Sequence, residues 1–450
     1  MSHRRVLMIS CAFPPTGGPG VQRSVKFAKY LPTFGWTPTV WATEPLEGMP
    51  RDPSLLDDLP AEVTVLRRAC HDRTHAARKL VRWMQGGGTL ASRVGAAIDW
   101  RLDNWLARSP LPDPFISWAQ ASVDPLVHLI RRERIDVIYS TFSPASNHVI
   151  GLALKRRTRL PWVADFRDLW TDDYRYQEIA PARRNAHRGL EQEIFEAADI
   201  VVGVTERQTA LLAGHVPAQR HKFFTITNGF DPIDFDVPPP PASRHPGCFV
   251  LAHVGRLDRW RTSEPLFEGF ERFVTDLGRR FDRFVFRIVG HADESTLQRI
   301  RNAGVECAFT GYVSHGEAIE EMRAADALLL CIPDGPNGDS VIPAKLFEYL
   351  ACEKPILVVG PERGLCEDIV SSLDAGLCAA PHAGGIATAL QRMFGAWRKG
   401  SPMCGGDPAG LGRFTRESLT RELAALMDDL VGRVPGSADV NDELMEAVAS

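Results

Sequence analysis

Short runs of apolar, β-branched residues alternate with stretches of helical periodicity along almost the whole chain. In the first half, the runs VLMIS (6–10), TPTVWAT (37–43), DVIYST (136–141), PWVADF (161–166), DIVVGV (199–204) and FFTIT (223–227) predict strands. After NGFD (228–231) the pattern gives way to DVPPPPASRHPG (236–247). Four consecutive prolines continue neither a helix nor a central strand, so this stretch predicts a linker. Beyond it the alternation restarts with FVLAHVG (249–255), FVFRIVG (284–290), ECAFTGY (306–312), DALLLCI (326–332) and PILVVG (355–360). Apolar spacing predicts a helix over 264–277, and Ser314 with Glu317 has the spacing of a capping box opening another. Strands buried on both faces and separated by helices predict parallel sheets with crossover helices, twice over.

One segment departs from this rhythm. Within residues 67–125, the portion from Arg73 to Arg108 carries Arg73, Arg78, Lys79, Arg82, Arg93, Arg101 and Arg108 against Asp99 and Asp103, interleaved with Trp83, Trp100 and Trp105. It reads as an insertion. Its basic, aromatic 73–108 portion has two readings: a peripheral contact with an anionic membrane, or a solvated face over a packed apolar side.

The 450-residue length supports two domains, and 44% hydrophobic with 24% charged residues is a globular composition. A formal net charge of −4 supplies no global attraction to nucleic acid. The nine cysteines are scattered without a C-x-x-C pair, which argues for reduced thiols in a cytoplasmic setting and against structural zinc. No signal-peptide pattern opens the chain, and no apolar run approaches the roughly 20 residues of a membrane span.

Candidate chemistry gathers at four places. FPPTGGPGVQRS (13–24) follows the first strand, and Gly17, Gly18 and Gly20 allow close backbone approach while the next helix offers its N-terminus to an anion. ADFRDLW (164–170) places Arg167 and Asp168 just past an apolar strand; the alternative is a hydrogen-bonded Asp165–Arg167–Asp168 network that shapes the loop. HVGRLDRWR (253–261) supplies Arg256 and Arg261 as phosphate candidates, with salt bridging through Asp258 as the alternative. Finally, PNGDSVIPAKLFEYLACEKPILV (336–358) carries Asp339, Ser340, Lys345 and Glu348 ahead of a strand. A carboxylate presents two acceptor oxygens to a vicinal diol, so Glu348 suits a ribose; the alternative is an exposed helical glutamate paired with Lys345.

With these motifs in this order, the chain resembles the GT-B glycosyltransferases, in particular the large retaining family of bacterial polysaccharide and lipopolysaccharide sugar transferases. The resemblance runs from VLMIS to about residue 430. It implies an α/β GT-B fold: two Rossmann-like domains facing each other across a cleft, with a C-terminal helix crossing back to the N-terminal domain. The expected layout is an acceptor-side domain over 1–235 with the insertion at about 67–125, and a Pro-rich linker over 236–247. A donor domain over 248–412, a crossing helix over 413–432 and a tail over 433–450 follow.

By the same resemblance, Arg256, Arg261 and Glu348 hold a nucleoside diphosphate sugar, and Lys345, Asp339 and Ser340 lie near it. Gly17, Gly18 and Gly20 approach its diphosphate, and Arg167 and Asp168 form the catalytic region. Arg261 stands where the family usually has lysine. Ser340 stands where the first acid of the family's Glu-x7-Glu motif is expected, which puts the sugar identity in doubt. No cofactor and no metal are expected, because no DxD run occupies a suitable loop. The implied function is sugar transfer, with retention, to a glycan or polyprenyl-linked acceptor at the inner face of the cell membrane, in bacterial surface polysaccharide biosynthesis. The rival readings are a nucleotide-sugar epimerase of related architecture and a donor-binding pseudoenzyme.

Overall fold

The computed structural model describes residues 4–433 apart from 46–48, 71–110, 174–175, 177–178, 237, 239–244, 259–260, 279–282, 402, 404 and 407. Two compact units emerge: one formed by residues up to Ile226 together with those from Thr420 onward, the other by Thr227–Leu419.

The first unit holds a seven-stranded sheet in the order β3-β2-β1-β4-β5-β6-β7, with every pair parallel. Its strands are β1 (Arg4–Ile9), β2 (Trp36–Thr43), β3 (Thr64–Arg68), β4 (Val137–Phe142), β5 (Trp162–Phe166), β6 (Ile200–Gly203) and β7 (Phe223–Thr225). The central strands are buried along nearly their whole length, as a parallel sheet covered on both faces demands. Described helices of this unit are α1 (Pro19–Tyr30), α2 (Ile116–Glu133), α3 (Ser146–Thr158), α4 (Pro181–Ala197) and α5 (Glu206–Gly214).

The second unit repeats the plan with six parallel strands ordered β10-β9-β8-β11-β12-β13. These are β8 (Phe249–Leu257), β9 (Phe284–Ala292), β10 (Cys307–Phe309), β11 (Ala327–Cys331), β12 (Ile356–Val359) and β13 (Gly376–Ala379). Helices α6 (Glu264–Leu277), α7 (Glu294–Asn302), α8 (His315–Ala324), α9 (Ala344–Ala351), α10 (Leu365–Ser372) and α11 (Ala383–Arg398) connect them. α6 buries Leu266, Phe267, Phe270 and Phe273, one helical stripe, and α8 opens on the capping box expected from Ser314 and Glu317. Both sheets have the doubly-wound order with a switch point beside their first strand, β1/β4 and β8/β11. The final helix, α12 (Arg416–Arg433), joins the first unit from Thr420 on. Asp428 ties it there, accepting from Arg4 at 2.6 Å and from the Trp36 indole at 3.0 Å.

Three differences from the sequence reading have physical causes. The 67–125 insertion is narrower, since β3 runs through Arg68 and α2 begins at Ile116. α2 even continues through Pro125, because eight of its residues are buried and the Trp41 indole bonds Ser122 Oγ at 2.9 Å. The basic 73–108 stretch lies wholly outside the described residues. The units divide after Ile226, earlier than residue 235. Phe230 exchanges backbone hydrogen bonds with Phe414 and Arg416, and the Cβ missing from Gly229 would overlap the Phe414 carbonyl, so 227–235 is built into the second unit. Strands β3 and β13 escaped notice because both are short edges without a fully buried run.

Candidate active site

In open parallel α/β sheets, ligands sit beyond the carboxyl ends of strands at the switch point. In the second unit that point lies between β8 and β11. Gly290 on β9 has φ +122, and the space a Cβ would need there is taken by the Gly255 carbonyl. Gly255 itself has φ +140 and lies against the Lys345 side chain. Gly290 therefore lets β9 lie close against the end of β8, and both positions take a positive φ that glycine adopts without strain.

At that end, Arg256 Nη1 on the strand and Arg261 Nη1 beyond it each lie 3.6 Å from Asp258 Oδ2. Asp258 is 9% exposed, whereas the arginines are 59% and 39% exposed. One buried carboxylate thus holds two solvent-facing guanidiniums loosely together, beyond ordinary hydrogen-bond length. Both the phosphate and the salt-bridge readings of this motif describe the same geometry. An arriving anion would exchange a loose ion pair for charge-assisted bonds.

Glu348 is buried rather than exposed, and Lys345 Nζ donates to its Oε2 at 2.6 Å. Burial alone would raise this carboxyl, but the charge and hydrogen bond of Lys345 and the nearby His315 and Arg416 outweigh it, leaving Glu348 below the usual range. His315 in turn meets Asp234 at 3.0 Å. The result is a preformed carboxylate that is ionised at neutral pH with acceptor capacity beyond its single lysine. Ser340 departs from expectation: it is buried, and its hydroxyl donates to the Asn337 carbonyl at 2.7 Å, turning inward. Neighbouring Asp339 is the exposed acid of that turn.

Sequence reasoning passed over His253 and Tyr349. His253 is buried on β8, its ring nitrogens 3.0 Å from the Leu329 carbonyl and 3.2 Å from that of Arg256; burial pushes it down to about 4, so it is a neutral pin. Tyr349 Oη accepts from Val254 N at 2.8 Å. A histidine within an otherwise apolar strand was the available signal for the first.

At the β1/β4 switch point of the first unit, the glycine turn has structural duties that the sequence concealed. Gly17 N donates to Pro50 O at 2.8 Å, so this amide is not offered to a ligand. Gly18 caps α1 with φ +108, and the open face of Gly20 is covered by the Arg167 guanidinium. Asn147 bridges the neighbouring strand ends, accepting from Cys11 N at 3.1 Å and donating to Thr141 O at 2.8 Å.

The ADFRDLW segment separates into three roles. Asp165, 1% exposed, pairs with Arg23 rather than Arg167, at 2.8 Å, and also accepts from Tyr139 Oη at 2.6 Å and Thr141 Oγ1 at 3.1 Å. Arg167 donates to the carbonyls of Phe142 (2.7 Å), Ser143 (3.0 Å) and Gly20. Asp168, its side chain 56% exposed and 3.9 Å from Arg167 Nε, is the carboxylate presented outward. No helix among the described residues is long and apolar enough to cross a membrane.

Two family models match the chain in succession: glycosyltransferase family 4 over residues 95–233 and glycosyl transferases group 1 over residues 248–395. A search of the curated proteins gives no match. Solved structures give the fold. A glycosyltransferase from Rickettsia africae superposes with a TM-score of 0.63 at 14% identity, covering 96% of this chain and 100% of that one. WaaG, a glycosyltransferase involved in lipopolysaccharide biosynthesis, gives a TM-score of 0.55, also at 14% identity, over 96% of this chain and 100% of that one. An E. coli trehalose-6-phosphate protein bound with UDP-2-fluoro glucose gives 0.55 at 11% identity over 98% of both chains. With two doubly-wound parallel sheets, a returning C-terminal helix and both family models in chain order, the chain belongs to the group 1-like GT-B glycosyltransferases.

Proposed function

We propose that this glycosyltransferase moves a sugar from a nucleoside diphosphate sugar to a glycan or lipid-linked glycan, with retention, in the assembly of a bacterial surface polysaccharide. The observation that carries the donor assignment is the second unit's switch point. There the ionised, buried Glu348 and the loosely tethered pair Arg256 and Arg261 lie at or beyond strand ends that Gly255 and Gly290 bring together. Glu348 would accept from the ribose diol, and the guanidiniums would bind the diphosphate, each charge-assisted bond contributing roughly 1.5–3 kcal/mol.

As the bond between the anomeric carbon and phosphate oxygen breaks, negative charge grows on the leaving diphosphate. Arg256 and Arg261 would stabilise it through charge-assisted bonds. The acceptor oxygen bonds to the anomeric carbon, and its proton passes to the departing phosphate, so no side-chain base is required. Asp168, in the first unit, would orient the acceptor. The E. coli neighbour's bound UDP sugar and the WaaG description support the donor class and the pathway class. The basic 73–108 sequence suits an anionic membrane carrying a lipid-linked acceptor.

The test is calorimetry of UDP, GDP, ADP, dTDP and CMP, and their sugar conjugates, against the wild type and Arg261→Ala. Binding of one nucleotide class, lost in the variant, is the expected result. Donor turnover without any acceptor would favour an epimerase, and absence of binding by the folded protein would defeat the donor-site reading.

A further inference from the structure

Arg167 lies just past the end of β5 at the first unit's switch point, and its bonds run to backbone. Nε donates to the Phe142 carbonyl at 2.7 Å, Nη2 to Ser143 at 3.0 Å, and Nη1 to Gly20. Three of its five N–H groups are thereby committed to three carbonyls. Those carbonyls belong to two different loops: the turn that opens α1, and the turn that follows β4. Arg167 itself follows β5, so one side chain ties together the exits of β1, β4 and β5. The side chain is only 13% exposed. A Cβ on Gly20 would overlap both terminal nitrogens, so glycine there is what lets the guanidinium lie flat on the helix start. Two residues earlier on the same strand, Asp165 holds Arg23, the fifth residue of α1, through a buried ion pair. β5 therefore grips α1 twice, once below its first turn and once at it.

We propose that Arg167 is a positioning residue that fixes the N-terminal turn of α1 and the outward aim of Asp168, and that it does not bind the donor diphosphate. This rests on the donor reading above, in which nucleotide affinity belongs to Arg256, Arg261 and Glu348 of the second unit. A helix N-terminus stabilises charge only where it is held at a set distance and angle, and a displacement of about 1 Å far from the reacting atoms can cost a hundredfold in rate. A lysine at 167 would keep the charge but has no planar fork to span three carbonyls.

The experiment compares wild type, Arg167→Ala, Arg167→Lys and Gly20→Ala in two readouts. One is the Kd of the nucleoside diphosphate that binds the wild type, by calorimetry. The other is kcat for nucleoside diphosphate release from the donor sugar, with and without added methylguanidinium. The expected result is a Kd within about twofold of wild type in all three variants. kcat should fall at least tenfold in each, with methylguanidinium restoring part of it in Arg167→Ala alone. A tenfold or greater loss of nucleotide affinity in Arg167→Ala with kcat retained at saturation would show a phosphate contact and overturn the proposal. An unchanged kcat in Arg167→Ala would overturn it as well. Should Arg167→Ala fail to fold, Gly20→Ala and Arg167→Lys decide by the same two numbers. Absence of nucleotide binding by the wild type is a different failure, that of the donor reading, and the proposal falls with it.

Discussion

Replacing Asp165 by alanine is expected to destabilise the first unit by about 3–5 kcal/mol, the usual consequence of stranding one partner of a buried ion pair. The magnitude follows from the contacts. Asp165 and Arg23 are 1% and 2% exposed, and the carboxylate accepts from Arg23 Nε at 2.9 Å, Arg23 Nη2 at 2.8 Å, Tyr139 Oη at 2.6 Å and Thr141 Oγ1 at 3.1 Å. Alanine leaves a guanidinium and two hydroxyls without their acceptor, in a place that water does not reach. Arg23 Nη2 keeps its 3.0 Å bond to the Ile226 carbonyl. Urea unfolding followed by tryptophan fluorescence reads this unit well, since Trp36, Trp118, Trp162 and Trp170 are all buried in it. With a slope of about 3 kcal/mol per M, the midpoint should fall by about 1–1.7 M. Replacing the whole cluster by apolar residues (Arg23→Met, Asp165→Leu, Tyr139→Phe) should recover most of the loss, because no buried charge then remains. The same network gives a pH signature. Burial alone would raise the Asp165 carboxyl, but Arg23 and the three hydrogen-bonding side chains outweigh it and hold it below its usual value. Its stabilisation is therefore complete above about pH 4 and is lost as pH falls toward the depressed folded value, so wild type and variant should converge in acid. A single-variant loss under about 1 kcal/mol, or a gap that persists in acid, would refute the reasoning.

Other outcomes can be checked more briefly. Glu348→Ala removes two potential bonds to a ribose diol and should weaken nucleotide binding at least a hundredfold, about 2.7 kcal/mol; a change under threefold by calorimetry would remove Glu348 from the donor site. Asp168→Asn should leave nucleotide Kd within about twofold and lower turnover at least tenfold, and equal turnover would strike it from the chemistry. Glu191 is 1% exposed and bonded to Thr171 N at 3.3 Å; burial raises it to about 7. A carboxyl raised in the folded state costs stability as pH climbs from its unfolded value near 4.3 toward 7, so Glu191→Gln should flatten that slope, and an unaltered profile would contradict it. Gly290→Ala combines a positive φ with overlap on the Gly255 carbonyl and should cost about 1–3 kcal/mol in strain alone, seen as a lowered Tm and weaker nucleotide binding; a neutral result would mean that β8 can shift freely.

Much of the fold was legible because burial on both faces writes itself into a parallel strand. Every central strand of both sheets coincides with an apolar run, and the capping box at Ser314 and Glu317 marked the start of α8. The edges were less legible. Thr64–Arg68 carries two arginines and Gly376–Ala379 has three half-buried residues of four, so neither shows the pattern that burial enforces. Pro125 sits inside α2, where packing around Trp118, Ser122 and Leu126 outweighs one proline's local preference.

The sequence by itself determined that two sheets would form, the order of their strands along the chain, and which polar residues follow strand ends, because periodicity and punctuation are local properties. Only the tertiary structure decided how those residues divide their hydrogen bonds. Asp165, Arg167 and Asp168 lie within four consecutive positions, yet one is buried against α1, one spans two loops and one faces outward. Glu348 is an ionised acceptor because Lys345, one turn away, joins His315 and Arg416, which no spacing rule connects to it. Charge and hydrogen-bond state depend on which groups share a low-dielectric space, and strands and helices distant in sequence set that space.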